Sequence, residues 1–88
     1  MSERKLAWTV EGWEDCLYWQ SEDRKTLKRI DTLIADCLRD DPFEGIGKPE
    51  PLRHALAGVW SRRIDEANRL VYIADEHYVT VLQARYHY

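Results

Sequence analysis

The sequence predicts an α+β fold in which a two-helix hairpin packs on one face of a mainly antiparallel sheet. Apolar residues recur at helical spacing over residues 11–39, in two runs separated by a short polar break. Segments rich in β-branched and aromatic residues follow from residue 59 onward, and a short alternating segment lies near the start. The 88 residues suffice for one domain, spanning 1–88, with one modest core.

The first half is predicted as one strand followed by the two helices. Apolar and polar residues alternate over residues 6–10, which is typical of a strand. The first helix is predicted from about residue 11 to residue 20, and the polar residues 21–23 then break the chain and cap the second helix. The second helix is strongly amphipathic and is predicted to end near Arg39.

The second half is predicted as a loop followed by a strand meander. Residues 40–51 contain all three prolines and two of the four glycines, so a loop is expected there. A turn of helix is expected over residues 52–56. Strands are predicted over residues 59–65, 69–74 and 78–86, joined by short polar turns.

The charge distribution indicates which class of ligand the protein binds. The net charge is −3, and the first 44 residues hold seven basic and eleven acidic residues, against six and five in the remainder. Charge alone therefore favours a protein-binding domain, although a clustered basic face can bind RNA despite an acidic total. We find neither a signal peptide nor a membrane-spanning run, and expect a cytoplasmic protein with no membrane contact.

The cysteines and histidines give no metal-ligand pattern, so we expect neither a metal nor a cofactor. Cys16 and Cys37 are expected to be reduced, buried thiols. His77 is expected in a solvated turn, and His54 is expected to be structural. His87 lies between two tyrosines at the end of a strand, where it is either part of an aromatic tail pinned to the core or a proton donor at the sheet edge.

Basic residues of the predicted meander form a second candidate site. Strand alternation places Trp60 and Arg62 on the side of the core and leaves Arg63 and Arg69 for an exposed concave face. Arginine can grip a phosphate with its planar fork, and aromatic rings can stack on bases. The alternative is a set of surface ion pairs with neighbouring acids, which contribute little to stability.

Four segments are distinctive in combination: PFEGIGKPEPL at 42–52, WSRRI at 60–64, RLVY at 69–72 and RYHY at 85–88. Trp8, Trp13 and LYWQ at 17–20 complete the pattern in the first half. Together they resemble the YoeB toxins, within the RelE/ParE superfamily of bacterial toxin–antitoxin systems. The similarity covers residues 5–88, and it implies a RelE-like fold similar to that of microbial ribonucleases.

The resemblance also implies a function. Such a toxin is a ribosome-dependent endoribonuclease, an mRNA interferase that enters the ribosomal A site, cuts mRNA there and inhibits translation during stress. The implied partners are a YefM-like antitoxin, the ribosome and mRNA, and a homodimer is left open. The implied catalytic residues are Glu50, Arg69, His87 and Tyr88. The implied RNA-binding residues are Lys48, Arg53, Arg63 and Arg85.

General acid–base chemistry suits these residue types. Attack of the RNA 2′-oxygen on the phosphate needs a base, an acid and a positively charged group next to the phosphate oxygens. Glu50 is expected to be the base, His87 the acid and Arg69 the phosphate clamp, with no metal or cofactor required. Family toxins tend to be basic, so the acidic total of this chain predicts weaker binding of free RNA.

Two other functions compete with this one. A non-nucleolytic ParE-like toxin that poisons DNA gyrase would share the fold but lack the catalytic residues, so Glu50, Arg69 and His87 argue against it. The third hypothesis is that the chain is a protein-interaction module, which would not cleave RNA.

Overall fold

The computed structural model describes residues 3–53 and 58–86, in which two helices lie on one face of a five-stranded sheet. The elements, in chain order, are β1 Lys5–Trp8, α1 Val10–Glu22, α2 Arg24–Cys37, β2 Glu50–Pro51, β3 Val59–Arg63, β4 Arg69–Ala74 and β5 Tyr78–Gln83. The strand order is β1-β5-β4-β3-β2. β1 pairs parallel with β5 and the other pairs are antiparallel, which confirms the predicted α+β class.

The helix hairpin is fixed by side-chain caps at both helix starts. The Thr9 hydroxyl accepts the backbone N–H of Gly12 at 3.1 Å and caps α1. The Asp23 carboxylate accepts the N–H groups of Lys25 and Thr26 and caps α2. The predicted break at residues 21–23 is therefore confined to Asp23, and α1 continues to Glu22 instead of ending at residue 20.

The core lies between α2 and the central strands. Its fully or nearly fully buried members include Ile30, Leu33, Ile34, Cys37, Leu70, Tyr72, Val79, Val81 and Ala84. Both cysteines are buried free thiols, as expected, and burial raises the pKa of Cys37 to about 11. In the described part of the chain, neither helix has the length and apolar character needed to cross a membrane.

The structure corrects the predicted limits of the strands. Glu50–Pro51, predicted as loop, pairs with β3 at the sheet edge. A proline is tolerated in an edge strand because the side that lacks an N–H donor can face solvent. β3 ends at Arg63 instead of residue 65 because the following residues turn, with the Ile64 N–H donating to the Asn68 carbonyl. Leu52 and Arg53 are not helical, and the rest of the turn expected over 52–56 lies outside the described residues.

β5 ends at Gln83, before the predicted end at residue 86, and it carries a β-bulge between Val81 and Gln83. Val71 pairs with Gln83 while Tyr72 pairs with Val81, so β5 carries one extra residue at this point. A bulge reverses the alternation of the residues that follow it. Gln83 therefore lies on the side opposite the core, and Ala84 is buried in the core.

Candidate active site

The sheet face away from the helices carries three of the eight predicted site residues. Residues that are directly opposite on neighbouring strands project to the same side of a sheet. Glu50, Ser61, Val71 and Gln83 are paired in succession across β2, β3, β4 and β5 and form one row. Arg63 and Arg69 are also opposite each other. Each is two residues away from a member of this row, Ser61 or Val71, and therefore projects to the same side of the sheet. We call these six residues the site face.

The structure therefore brings Glu50, Arg63 and Arg69 onto one surface. With strands about 4.8 Å apart and a rise of about 3.4 Å per residue, the Cα of Glu50 lies roughly 8 Å from that of Arg63 and roughly 12 Å from that of Arg69. Arg63 and Glu50 are exposed and Arg69 is half-buried. Two arginines opposite each other repel, so the pairing favours binding of an anion between them.

Arg69 is oriented by the turn that joins β3 and β4. Its guanidinium Nη1 donates to the carbonyl oxygens of Asp65 at 2.7 Å, Asn68 at 3.1 Å and Glu66 at 3.4 Å. Because a guanidinium has five N–H donors, and its bonds to residues 3–53 and 58–86 all use Nη1, Nη2 and Nε can serve a ligand. Arg69 is thus a half-buried cation whose orientation is set by the backbone around it.

Residues 84–86, which we call the C-terminal segment, return to this turn. The Tyr86 N–H donates to Asn68 Oδ1 at 2.7 Å, and the Arg69 N–H donates to the Tyr86 carbonyl at 2.8 Å. Tyr86 has φ 67, in the left-handed region that non-glycine residues seldom adopt. His87, Tyr88 and His54, which the sequence analysis singled out, lie outside the described residues.

A buried arginine under the loop after α2 was missed as an organising residue. Alternation did predict that Arg62 faces the core, and its side chain is fully buried. Its guanidinium hydrogen-bonds the Asp36 carboxylate, the Tyr72 hydroxyl and three loop carbonyls, those of Pro42, Glu44 and Ile46. A buried arginine needs several hydrogen-bond acceptors. The loop after α2, whose backbone carbonyls are free of helix and sheet bonds, could have been predicted from the sequence to supply them.

This buried network fixes the loop that leads to Glu50. The Tyr72 hydroxyl donates to the Pro42 carbonyl at 2.6 Å, and the Gly47 carbonyl accepts the Arg63 N–H at 2.7 Å. Lys48 follows with φ 51, which turns the chain toward β2. The loop is therefore attached to α2 and β3 on one side and presents Lys48 to solvent on the other.

The electrostatics of the network keep its ion pair charged. The hydrogen bond from Arg62 holds the pKa of Asp36 below its usual value. Burial lowers the pKa of Arg62, but its hydrogen bonds with Tyr72 and Asp36 outweigh burial and leave that pKa raised. Burial raises the pKa of Tyr72 to about 12, so its hydroxyl stays protonated and can donate.

The other predicted RNA-binding residues lie apart from the site face. The Arg85 guanidinium stacks on Tyr18 of α1, 3.5 Å from the ring centroid, and also lies 4.7 Å from the centroid of Tyr86. Arg53 is exposed just after β2, and His77 is exposed in the β4–β5 turn, as expected. Among residues 3–53 and 58–86, no group of three or more His, Cys, Asp or Glu is arranged to hold a metal ion.

Comparison with known proteins gives consistent matches over nearly the whole chain. Residues 8–88 match the family described as YoeB-like toxin of bacterial type II toxin-antitoxin system. Toxin YoeB of Streptomyces coelicolor is 54% identical over 84 residues, which cover 96% of this chain and 99% of that protein. Toxin RelK of Mycobacterium tuberculosis is 55% identical over 85 residues, covering 97% of this chain and 99% of that protein.

Solved structures with the same fold carry related names. The YoeB dimer from Staphylococcus aureus has a TM-score of 0.92 and 37% identity, covering 99% of this chain and 100% of that one. The YoeB-YefM complex from Staphylococcus aureus has a TM-score of 0.86 and 36% identity, covering 97% and 98%. The YoeB/ParE toxin from Agrobacterium tumefaciens has a TM-score of 0.88 and 43% identity, covering 96% and 99%.

Proposed function

Because this chain belongs to the family of YoeB-like toxins of bacterial type II toxin–antitoxin systems, we propose that it is a ribosome-dependent endoribonuclease. It cleaves mRNA in the ribosomal A site and so inhibits translation in the cytoplasm. The observation that supports this most is the site face, where one carboxylate and two opposed arginines share a surface and the Arg69 N–H donates to the Tyr86 carbonyl of the C-terminal segment. A ParE-like gyrase poison has no need of this arrangement.

The proposed reaction is attack of the RNA 2′-oxygen on the adjacent phosphorus. Glu50 removes the 2′ proton as the new P–O bond forms, and the bond from phosphorus to the 5′-oxygen breaks. His87 gives a proton to the departing 5′-oxygen, so the products are a 2′,3′-cyclic phosphate and a 5′-hydroxyl. Arg69, with Arg63 opposite it, stabilises the charge on the phosphate oxygens. Side chains fill every role, and no metal or cofactor enters the scheme.

Glu50 is well suited to act as a positioned base. It lies between two prolines, which restrict the backbone on both sides, and its strand is paired to β3 directly opposite Ser61. A carboxylate held at a fixed distance from Arg69 removes the 2′ proton only when the RNA is correctly positioned. In this proposal the ribosome positions the mRNA.

The remaining proposed residues contact the RNA around the cleaved bond. Lys48 precedes Glu50 on an exposed loop, and Arg53 follows it just beyond the edge strand, so both can meet the RNA backbone. Arg85 contributes from the side of α1, through a guanidinium already stacked on Tyr18. Tyr88 is proposed to be catalytic together with its neighbour His87, on the strength of the family resemblance.

The partner proposed for this chain is an antitoxin of the YefM kind, since a structure with 36% identity is named a YoeB-YefM complex. An acidic, partly disordered segment of it would cover the site face, with carboxylates replacing phosphates on Arg63, Arg69 and Arg85. It would displace His87 and Tyr88, whereas Tyr86 stays bonded to Asn68. A structure of the complex with the antitoxin bound only to the helices would contradict this.

A homodimer is proposed on similar grounds, because another of the similar structures is named a YoeB dimer. Beside β1, α1 exposes an apolar stripe of Trp13 and Leu17, with Trp8 packed edge-on against Trp13. Such a stripe can be covered by a second copy of the chain. Sedimentation of the free protein over a range of concentrations tests this proposal.

The function is tested with ribosomes carrying a defined mRNA, and the cut ends are mapped by primer extension. The wild-type protein is expected to give discrete cuts in the A-site codon. His87→Ala should be slower by about two to four decades, the scale expected when a positioned acid is lost. Glu76→Ala, in the exposed β4–β5 turn, is the matched control and should cleave normally.

Two outcomes would contradict the proposal. Full activity in a folded His87→Ala protein would remove His87 from the mechanism. Absence of A-site cuts with the wild-type protein, together with inhibition of DNA gyrase, would favour the ParE-like alternative. Cleavage of free RNA at high protein concentration should also persist in a chelator, because no metal takes part in the proposed reaction.

A further inference from the structure

The side chain of Tyr86 is an exposed aromatic ring to which the proposed reaction gives no role. The residue is 59% exposed, although it belongs to a segment whose first residue, Ala84, is buried in the core. Its backbone has φ 67, in the left-handed region, which a non-glycine residue keeps only when its surroundings determine it. Strained residues of this kind are concentrated at functional sites, where the conformation serves a ligand.

The backbone of Tyr86 is held directly beside Arg69. The Tyr86 N–H donates to Asn68 Oδ1 at 2.7 Å, and the Tyr86 carbonyl accepts the Arg69 N–H at 2.8 Å. A backbone hydrogen bond between two neighbouring stretches of chain brings their Cα atoms to roughly 5 Å. The ring of Tyr86 is therefore attached next to the residue whose guanidinium is oriented by the β3–β4 turn.

The ring itself is held by Arg85. The Arg85 guanidinium lies 4.7 Å from the ring centroid of Tyr86 and 3.5 Å from that of Tyr18, a half-buried residue of α1. A guanidinium is attracted to the face of an aromatic ring, so these contacts favour one orientation of the Tyr86 ring. A ring that is already oriented loses less conformational freedom when a ligand stacks on it.

We propose that Tyr86 is a base-stacking residue, whose ring receives an RNA base next to the phosphate bound by Arg69. This inference rests on the proposed function. Phosphates and bases alternate along an RNA chain, and here two cations, Arg69 and Arg85, are the neighbours of an exposed ring. Single-stranded RNA is commonly bound by aromatic rings on which its unstacked bases lie. Every base has a π-face, so Tyr86 positions a nucleotide of the A-site codon and adds little sequence preference.

An RNA base suits this position better than a side chain of a protein partner. The aromatic residues that anchor protein interfaces usually fill pockets from which water is excluded. Tyr86 instead has an open ring, and the residues that contact it are cationic or polar. RNA supplies both a flat surface for the ring and phosphates for the two arginines.

The test removes the ring and the base separately and together. Ribosomes carry an mRNA in which the first, the second or the third nucleotide of the A-site codon is abasic. An abasic nucleotide keeps its ribose and phosphate, so the attacking 2′-oxygen and the bond that is cut are unchanged. Tyr86→Leu removes the aromatic ring but keeps the Cβ and Cγ atoms, so the backbone strain at φ 67 is retained.

Tyr86→Leu is expected to cleave the intact mRNA with a kcat/KM roughly 5- to 150-fold below that of the wild type, the scale of one base–aromatic stack. At one codon position, the two proteins should cleave the abasic mRNA at rates within about threefold of each other, because the stacked base is already missing. Tyr86→Phe keeps the ring and should cleave as the wild type does. Tyr78→Leu is the matched control, because Tyr78 is also exposed but lies at the start of β5, opposite Lys5.

Equal slowing of Tyr86→Leu on the intact mRNA and on every abasic mRNA would show that Tyr86 serves folding and not base stacking. A wild-type rate for Tyr86→Leu on the intact mRNA would show that the ring has no role in cleavage. Either result overturns the inference while leaving the proposed function intact. Failure of the wild-type protein to cut any of these mRNAs would instead overturn the proposed function, and with it the stacking role. Thermal unfolding of each variant confirms that the proteins compared are folded.

Discussion

Replacement of Arg62 by methionine tests whether the buried network holds the loop after α2. Methionine fills much of the volume of the arginine stem but has no N–H donors. The change leaves the Asp36 carboxylate, the Tyr72 hydroxyl and the three loop carbonyls without the guanidinium. We expect the variant to be far less stable and its loop to detach from β3.

The expected magnitude follows from the burial of the two charges. Arg62 is fully buried and the Asp36 side chain is 16% exposed, so neither partner is well solvated when the other is removed. Removal of one partner from such a pair reduces the free energy of unfolding by about 3–5 kcal/mol. That is a large part of the roughly 5–15 kcal/mol typical of a small domain. The three loop carbonyls that lose the guanidinium add only a small further loss of stability. Water can reach them once the loop has opened, so they do not remain unpaired.

Urea unfolding followed by tryptophan fluorescence measures the effect. Trp60 is a suitable reporter because its ring centroid lies 4.7 Å from that of Phe43 in the loop. Arg63→Met, at the neighbouring exposed position, is the control and should change the free energy of unfolding by less than about 0.5 kcal/mol. A loss below about 1 kcal/mol for Arg62→Met would refute the reasoning, since a buried pair cannot be broken so easily.

Two further predictions concern the same network. The Arg62 hydrogen bond lowers the pKa of Asp36 in the folded state, so Asp36 contributes stability above its unfolded pKa of about 3.9 and loses it as pH falls through the folded pKa. Urea unfolding at pH 7 and pH 3 should therefore show a smaller acid-induced loss for Asp36→Asn than for the wild type, and an equal loss would contradict this assignment. Gly45→Ala should lower the free energy of unfolding by about 1–3 kcal/mol, because Gly45 has φ 123 and an added Cβ would collide with the Asp36 carboxylate. Gly58→Ala is its control in thermal unfolding, since Gly58 has φ 91 and a Cβ there meets no described atom within 4 Å; equal losses in the two variants would exclude the steric contribution.

Local patterns in the sequence predicted both helices and four of the five strands, because those signals repeat over several turns or alternations. Alternation also placed Arg62 toward the core and Arg63 away from it, as the structure has them. The same reasoning could not predict the pairing of Glu50–Pro51, because two residues carry no periodic signal and the prolines at 49 and 51 indicate a loop. That pairing depends on β3, which lies beyond the loop.

Non-local contacts account for the rest of what the sequence did not predict. The bulge between Val81 and Gln83 depends on the register between β4 and β5, and it changes which side of the sheet the residues after it face. Arg85 was therefore expected on a final strand, whereas it stacks on Tyr18 of α1. The acceptors of Arg62 come from α2, the loop and β4, and only the folded chain brings them together.

The parallel pairing of β1 with β5 has a consequence for how the chain is made. β1 is the first strand to be synthesised, and its partner in the sheet is the last. The sheet thus remains incomplete throughout translation of the first four strands, and closing it requires a contact across most of the sequence, which slows folding. Tyr86, which bonds Asn68 and Arg69, is synthesised after β5. A nascent chain therefore cannot assemble the site face with its C-terminal segment before Gln83 and Tyr86 have been synthesised.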